Sequence, residues 1–202
     1  LRDLSRINRW FGGVATTEAL IERVVKATGT KHLSLLEVAA GHGQGLKIIA
    51  PRFAKRGIAL EVTFLDRAHT HLPREDHGVV ADALALPFPD CAFDAISCSL
   101  FAHHLDPPQI ASFVKEALRV CKRAVLINDL VRHPLHLALV YAGFPLMRSP
   151  VSRFDGVASV RKAYVPDEIR EIISTAFLPD SAPKVEIFRH YLFRMGVVIW
   201  KQ

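Results

Sequence analysis

Residues 35–45 read LLEVAAGHGQG, an apolar run that breaks into three glycines at alternate positions, Gly41, Gly43 and Gly45. A strand that ends in a glycine-rich turn and opens a helix offers a ligand backbone N–H groups and a helix N-terminus, because no side chain stands in the way. The dinucleotide fingerprint GxGxxG does not fit. Counted from Gly41 it requires glycine where Leu46 stands, and counted from Gly43 it requires glycine where Ile48 stands. The spacing therefore argues against a nicotinamide cofactor.

Working outward, short apolar runs at Leu33–Val38, Ala59–Leu65, Gly78–Ala81, Ala95–Cys98 and Ala124–Ile127 read as buried strands. Between them, Leu46–Lys55 and Pro108–Val120 carry apolar residues at helical spacing, the second opening on a proline pair suited to a first turn. Strand alternating with helix predicts an α/β, doubly wound parallel sheet covered on both faces. Two late runs, Val185–Arg189 and Leu192–Trp200, are separated by His190 and Tyr191 and predict an antiparallel pair that ends the sheet. The segment 132–165 breaks the pattern. It starts as an apolar helix, HLALVYAGFPLM, and continues as an expected irregular stretch of the kind that is usually functional or mobile.

Composition limits the function classes. With 202 residues, half of them hydrophobic, the chain fits one domain over residues 1–202. The formal charge of +6 is scattered rather than grouped in a basic stripe, which argues against nucleic acid as partner. Three cysteines without a CxxC pair indicate neither a disulfide framework nor a zinc site, so no metal is expected and a reducing cytoplasm is the expected location. No 18-residue apolar span or signal peptide is evident, and because the chain opens on Leu1 its natural first residues are expected to be missing.

The turn resembles the first motif of class I S-adenosylmethionine (SAM)-dependent methyltransferases, in which an acidic strand end precedes an x-G-x-G-x-G turn, with Glu37, Ala39, Gly41 and Gly43 in the key places. Ala39 departs from the commoner glycine, and a slightly tighter turn is expected there. The stretch VTFLDRA, residues 62–68, resembles the family's second motif, and VVADALALPFPDCAFDAISCS, residues 79–99, its third and fourth elements. LFAHHLDPPQ follows directly, as in many small-molecule members. The resemblance covers residues 33–130 firmly and implies a Rossmann-like seven-stranded sheet with an antiparallel terminal hairpin, with SAM as cofactor.

It also implies roles. Asp66, with Arg67 beside it, would meet the ribose hydroxyls, a task suited to a carboxylate that accepts two O–H donors. Asp82 and Ala83 would meet adenine, and Ser99 would stand among the cofactor contacts. His103 or His104 would serve as base toward a phenol, His104 being preferred; either also suits a tight turn. Asn128, Asp129, Arg132 and Phe144 are candidate acceptor contacts, although Asn128 or Asp129 would equally cap a helix. SRFDGVASVRKAY, residues 152–164, resembles a stretch of bacterial ubiquinone and aromatic natural-product methyltransferases. With it, Tyr141, Phe144, Met147 and Phe154 would close over a flat acceptor, making 132–165 a substrate-covering insertion, or would pack a core. LSRINRWFGG, with Trp10 and Phe11, reads as an amphipathic entry segment, part of an expected helical lid over residues 1–30 or simply a packing element. The expected reaction is O-methylation of a small aromatic or quinol-like molecule; C-methylation of a quinol ring and a non-catalytic SAM-binding scaffold are the alternatives. A nucleic-acid methyltransferase is disfavoured because SLFA replaces an NPPY-type tetrapeptide after strand four.

Overall fold

The computed structural model describes residues 12–72, 78–147, 149–190 and 192–202. Seven strands form one sheet: β1 (His32–Val38), β2 (Ala59–Asp66), β3 (Gly78–Val80), β4 (Phe93–Ser99), β5 (Cys121–Leu130), β6 (Lys184–His190) and β7 (Arg194–Trp200). Their order is β3-β2-β1-β4-β5-β7-β6. β1 to β5 run parallel, and β7 lies antiparallel between β5 and β6. This is the class I methyltransferase arrangement expected from the sequence, terminal hairpin included.

The apolar strand residues divide by the two-residue pleat. Leu33, Leu35 and Leu126 face one layer, where helices α1 (Gly13–Thr28) and α2 (Gln44–Ala54) bring Ile21, Val24, Ile49 and Phe53. Leu36, Ile96 and Ile127 face the other, against Ile110 and Phe113 of α3 (Pro107–Val120) and Ile169 and Ile173 of α6 (Pro166–Thr175). Each such side chain is fully buried and contributes about 1.5–3 kcal/mol relative to exposure. Helix α3 begins where its proline pair predicts, with Asp106 accepting from the Gln109 N–H and Gln109 accepting from the Asp106 N–H.

Residues 132–165 differ from expectation. They form two helices, α4 (Pro134–Ala142) and α5 (Pro150–Lys162), joined through a 3₁₀ turn at Phe144–Leu146. Proline at each first turn presets φ, and His133 Nδ1 accepts from the Leu135 N–H to start α4. The small residues that suggested irregularity instead permit close packing: a Cβ at Gly156 would stand 3.4 Å from Val140 Cγ1. In the terminal hairpin Leu192 belongs to the turn rather than to a strand. Of the opening segment, Trp10 and Phe11 lie outside the described residues, while α1 packs on the sheet through Leu20, Ile21, Val24 and Val25.

A buried amide anchors α1. Asn128 Nδ2 donates to Gly13 O and Thr17 Oγ1, both at 2.8 Å, and Arg194 Nη1 donates to Asn128 Oδ1 at 3.2 Å. A Cβ at Gly196 would come within 2.9 Å of Leu20 Cδ2, so glycine lets α1 sit hard against β7. Asn128→Ala is expected to destabilise the chain by roughly 1–3 kcal/mol, because the Gly13, Thr17 and Arg194 groups lose a buried partner. Urea unfolding checks this: a lowered midpoint with unchanged slope is the expected result, and an unchanged midpoint contradicts it.

Candidate functional site

β1 ends in the glycine turn. Ala39, Gly41 and Gly43 all adopt left-handed φ, at 53°, 54° and 64°. The turn closes through Gly43 N–H to Ala40 O at 2.9 Å and is tied to β2 through Ala40 N–H to Leu65 O at 3.0 Å. Gly43 is required twice over: its φ is positive, and a Cβ there would stand 2.6 Å from Phe64 Cε1. Ala39 takes the same conformation with a methyl group, so the turn survives its departure from glycine.

Glu37 lies one residue before the end of β1, side by side with Ser97 of β4 and buried. Burial pushes its carboxyl pKa up to about 7, with the Ser97 and Ser99 hydroxyls opposing that rise. Among the described residues its Oε2 has no hydrogen-bond partner. A buried carboxylate oxygen without a donor is costly, and its remedy is a cationic donor such as an ammonium group. Beside the open turn, this oxygen fits the amino group of an amino-acid-bearing cofactor.

Asp66, at the end of β2, accepts from the Gly41 N–H at Oδ2 and from the Ala68 N–H at Oδ1, both at 2.9 Å. These bonds fix the carboxylate plane against the turn; Arg67 beside it is exposed. Asp82 is exposed and accepts from the Leu84 N–H at 2.9 Å, shaping its own turn, while Ala83 is buried. Ser99 Oγ lies 3.1 Å from Thr17 Oγ1, linking the end of β4 to the Asn128 anchor.

After β4 the chain reverses at Leu100, φ 57°, into a 3₁₀ turn over Ala102–His104. His103 is buried. Asp129 accepts from its backbone N–H at 3.0 Å, and the Asp129 Oδ1 to His103 Nδ1 distance is 2.7 Å. With Nδ1–H donating to Asp129, the lone pair of the neutral ring resides on Nε2. The His104 ring lies 4.2 Å from that of His103, centroid to centroid. His104 is exposed on one side, yet desolvation of its packed side, followed by the neighbouring His103, holds its pKa below the ordinary value. Asp155 and Lys162 of α5 act on it with opposite signs, which places α5 beside the turn. Arg194, buried, has its pKa lowered to about 10 by desolvation, with Asp129 opposing the shift.

The carboxyl edge of the sheet thus gathers Glu37, the glycine turn, Asp66, Ser99, His103, His104 and Asp129 around the point where strand order reverses between β1 and β4. Asn128 sits at the same edge with its amide committed to α1 and Arg194. Arg132 stands farther out, paired with Glu168 and donating to Ala163 O at 3.2 Å. Phe144 meets Tyr141 edge-on, ring centroids 5.2 Å apart. Sequence reasoning missed Thr17, Ser97 and Arg194, and it treated Asp129 and His103 as separate groups. The β4–β5 register, Ser99 beside Asn128, is the feature that brings the pair together.

Residues 36–127 match a family described as a methyltransferase domain. No curated protein matches the chain by sequence. Among solved structures, a SAM-dependent methyltransferase from Aquifex aeolicus is 18% identical, covering 90% of this chain and 89% of its own, with a TM-score of 0.59. The plantazolicin methyltransferase BpumL in complex with SAH is 12% identical, covering 100% and 90%, with a TM-score of 0.73. Magnesium protoporphyrin IX methyltransferase from Synechocystis PCC 6803 with bound SAH is 11% identical, covering 97% and 87%, with a TM-score of 0.58. At these identities the likeness is one of fold.

The raised Glu37 pKa has a measurable sign. Between the unfolded value of 4.5 and the folded value of about 7, the folded chain holds the extra proton. Its contribution to stability is therefore full below pH 4.5 and is lost as pH rises to 7. Relative to Glu37→Gln, the ligand-free wild type is expected to lose about 3 kcal/mol across that window. Chemical denaturation of both chains at several pH values tests this, and parallel curves would refute it.

Proposed function

We propose that the chain, whose residues 36–127 match a methyltransferase domain within a class I methyltransferase fold, is a SAM-dependent methyltransferase (EC 2.1.1.-) that methylates an oxygen of a small aromatic or quinol-like molecule. The observation that carries this reading is the Asp129–His103–His104 group just beyond β4, a place for proton removal at the carboxyl edge of the sheet. A phenolic oxygen is nucleophilic once its proton is taken, and an imidazole is suited to take it near neutrality. That two structural relatives are named for plantazolicin and magnesium protoporphyrin IX supports a small-molecule acceptor.

Bound SAM supplies a methyl group activated by its sulfonium charge. The Glu37 carboxylate holds the ammonium end, its orphan Oε2 gaining the partner it lacks. Asp66, fixed by two backbone donors, receives the ribose hydroxyls, with Arg67 alongside. Asp82 and the Ala83 N–H meet the adenine edge, and Ser99 completes the contacts near Glu37.

His104 is the base. Its lowered pKa keeps the ring neutral at pH 7, ready to accept a proton. His103 and Asp129 act behind it: the carboxylate fixes the buried ring, and that ring supports the face of His104. Phe144, with Tyr141 against it, forms an apolar wall for a flat acceptor, and Arg132 ties α5 to α6 through Ala163 and Glu168. The segment 132–165 covers the acceptor, because α5 stands beside the His104 turn. Such positioning aligns nucleophile and methyl carbon and keeps water out, an orientation effect that reaches roughly 7–11 kcal/mol in favourable cases.

Labelled SAM with a panel of phenols and quinols tests the assignment, and the carbon shift of the new methyl separates O- from C-transfer. His104→Ala is expected to lower turnover about 10²–10⁴-fold at neutral pH while SAM affinity holds. In the wild type, turnover is expected to fall on acidification as the imidazole becomes protonated. Full turnover in the variant, or a defect due solely to lost SAM binding, removes the base role. Calorimetry offers a separate check on Glu37. SAM affinity is expected to rise with pH up to about 7 and then level off, as the carboxyl ionises to meet the ammonium, and Glu37→Gln is expected to flatten that rise.

A further inference from the structure

Helix α4 is the most apolar helix described, yet none of its nine residues is buried. Leu135, Leu139 and Tyr141 are 55%, 43% and 44% exposed. On the adjoining start of α5, Val151 and Phe154 are 74% and 78% exposed, and Leu192 in the β6–β7 turn is 69% exposed. These lie on neighbouring elements. α4 packs on α5 where Val140 meets Gly156, and Phe193, next to Leu192, stacks on His133 and His136 at the start of α4. A helix apolar all round is normally covered, and a cluster of exposed large apolar groups marks a contact surface.

Charge selects what covers it. Residues 132–165 carry Arg132, Arg148, Arg153, Arg161 and Lys162 against Asp155 alone, a net +4 of the chain's +6. The cations are interleaved with the apolar groups: Arg161 donates to Tyr141 Oη at 3.3 Å, and Arg153 lies over the Phe144 ring. Even with Arg132 paired to Glu168, a positive surplus remains around α4 and α5. A second copy presenting this face would bring like charges together. An anionic bilayer surface instead offers headgroup phosphates to the cations and acyl chains to the leucines and aromatics.

We propose that the α4–α5 face docks on an anionic membrane surface, with Leu135, Leu139, Val151 and Phe154 entering the headgroup boundary and Arg161 and Lys162 meeting lipid phosphates. This is peripheral attachment, since no helix among the described residues is long and apolar enough to cross a membrane. Docking sets the acceptor-covering helices against the phase in which a lipophilic acceptor dissolves. The proposal stands apart from the choice of acceptor and base, because attachment is read without turnover.

Co-sedimentation of the full chain with vesicles tests it. Binding to vesicles of equal parts phosphatidylcholine and phosphatidylglycerol is expected to exceed binding to phosphatidylcholine alone by about tenfold or more, and to weaken as salt is added. Val151→Gln with Phe154→Gln, both on exposed positions, is expected to reduce binding to the mixed vesicles severalfold, with an unchanged circular dichroism spectrum and melting temperature. Arg161→Gln with Lys162→Gln is expected to abolish the preference for anionic lipid. Equal affinity for neutral and anionic vesicles, no binding to either, or a dimer in solution that loses its association on Val151→Gln with Phe154→Gln would each overturn the proposal, the last in favour of a second copy.

Discussion

Asn128 and Asp129 are neighbours on β5, and the pleat of a strand sends neighbouring side chains to opposite faces of the sheet. Asn128 turns toward α1, where its amide joins Gly13, Thr17 and Arg194; Asp129 turns the other way and holds His103. One dipeptide therefore fixes both the layer that closes the fold and the turn that carries the histidines. Both side chains are 1% exposed, so neither role tolerates loss of its partners. A one-residue slip of β5 would send each side chain to the opposite face, so that the carboxylate would point into the α1 layer and the amide away from it.

The carboxyl edge gathers buried polar groups that the fold does not satisfy equally. Asp66 is met by two backbone N–H groups, and Asp129 by three donors, the His103 ring and backbone together with the Leu130 N–H. Glu37 is the contrast, its Oε2 buried and without a hydrogen-bond partner among the described residues. Donors from the fold fix the planes of the Asp66 and Asp129 carboxylates, whereas the fold leaves one oxygen of Glu37 unmet beside the glycine turn.

Much of the frame was legible in the chain. LLEVAAGHGQG located β1, the turn and the start of α2, since apolar runs and alternate glycines are local signals. Leu192–Trp200 located the last strand but not its first residue, because Leu192 and Phe193 are apolar for reasons of surface and ring stacking rather than of sheet pairing. The segment 132–165 read as irregular because its small residues and prolines resemble loop composition; paired across α4 and α5, the same residues serve as first turns and as a close contact at Gly156. The link of Asp129 to His103 spans 26 residues and that of Arg194 to Asn128 spans 66, separations at which no periodicity in the sequence carries information.

The placement of β7 between β5 and β6 ties the first described helix to the last strand, for α1 rests on Gly196 of β7 as well as on Asn128 of β5. In chain order α1 precedes every strand and β7 follows all the others, so the helix has no complete seat until the terminal hairpin is in place. Until then its apolar face, Leu20, Ile21, Val24 and Val25, is covered only in part. Closing this layer is consequently a long-range event, and contacts of that kind form slowly and leave apolar surface open to aggregation in the meantime.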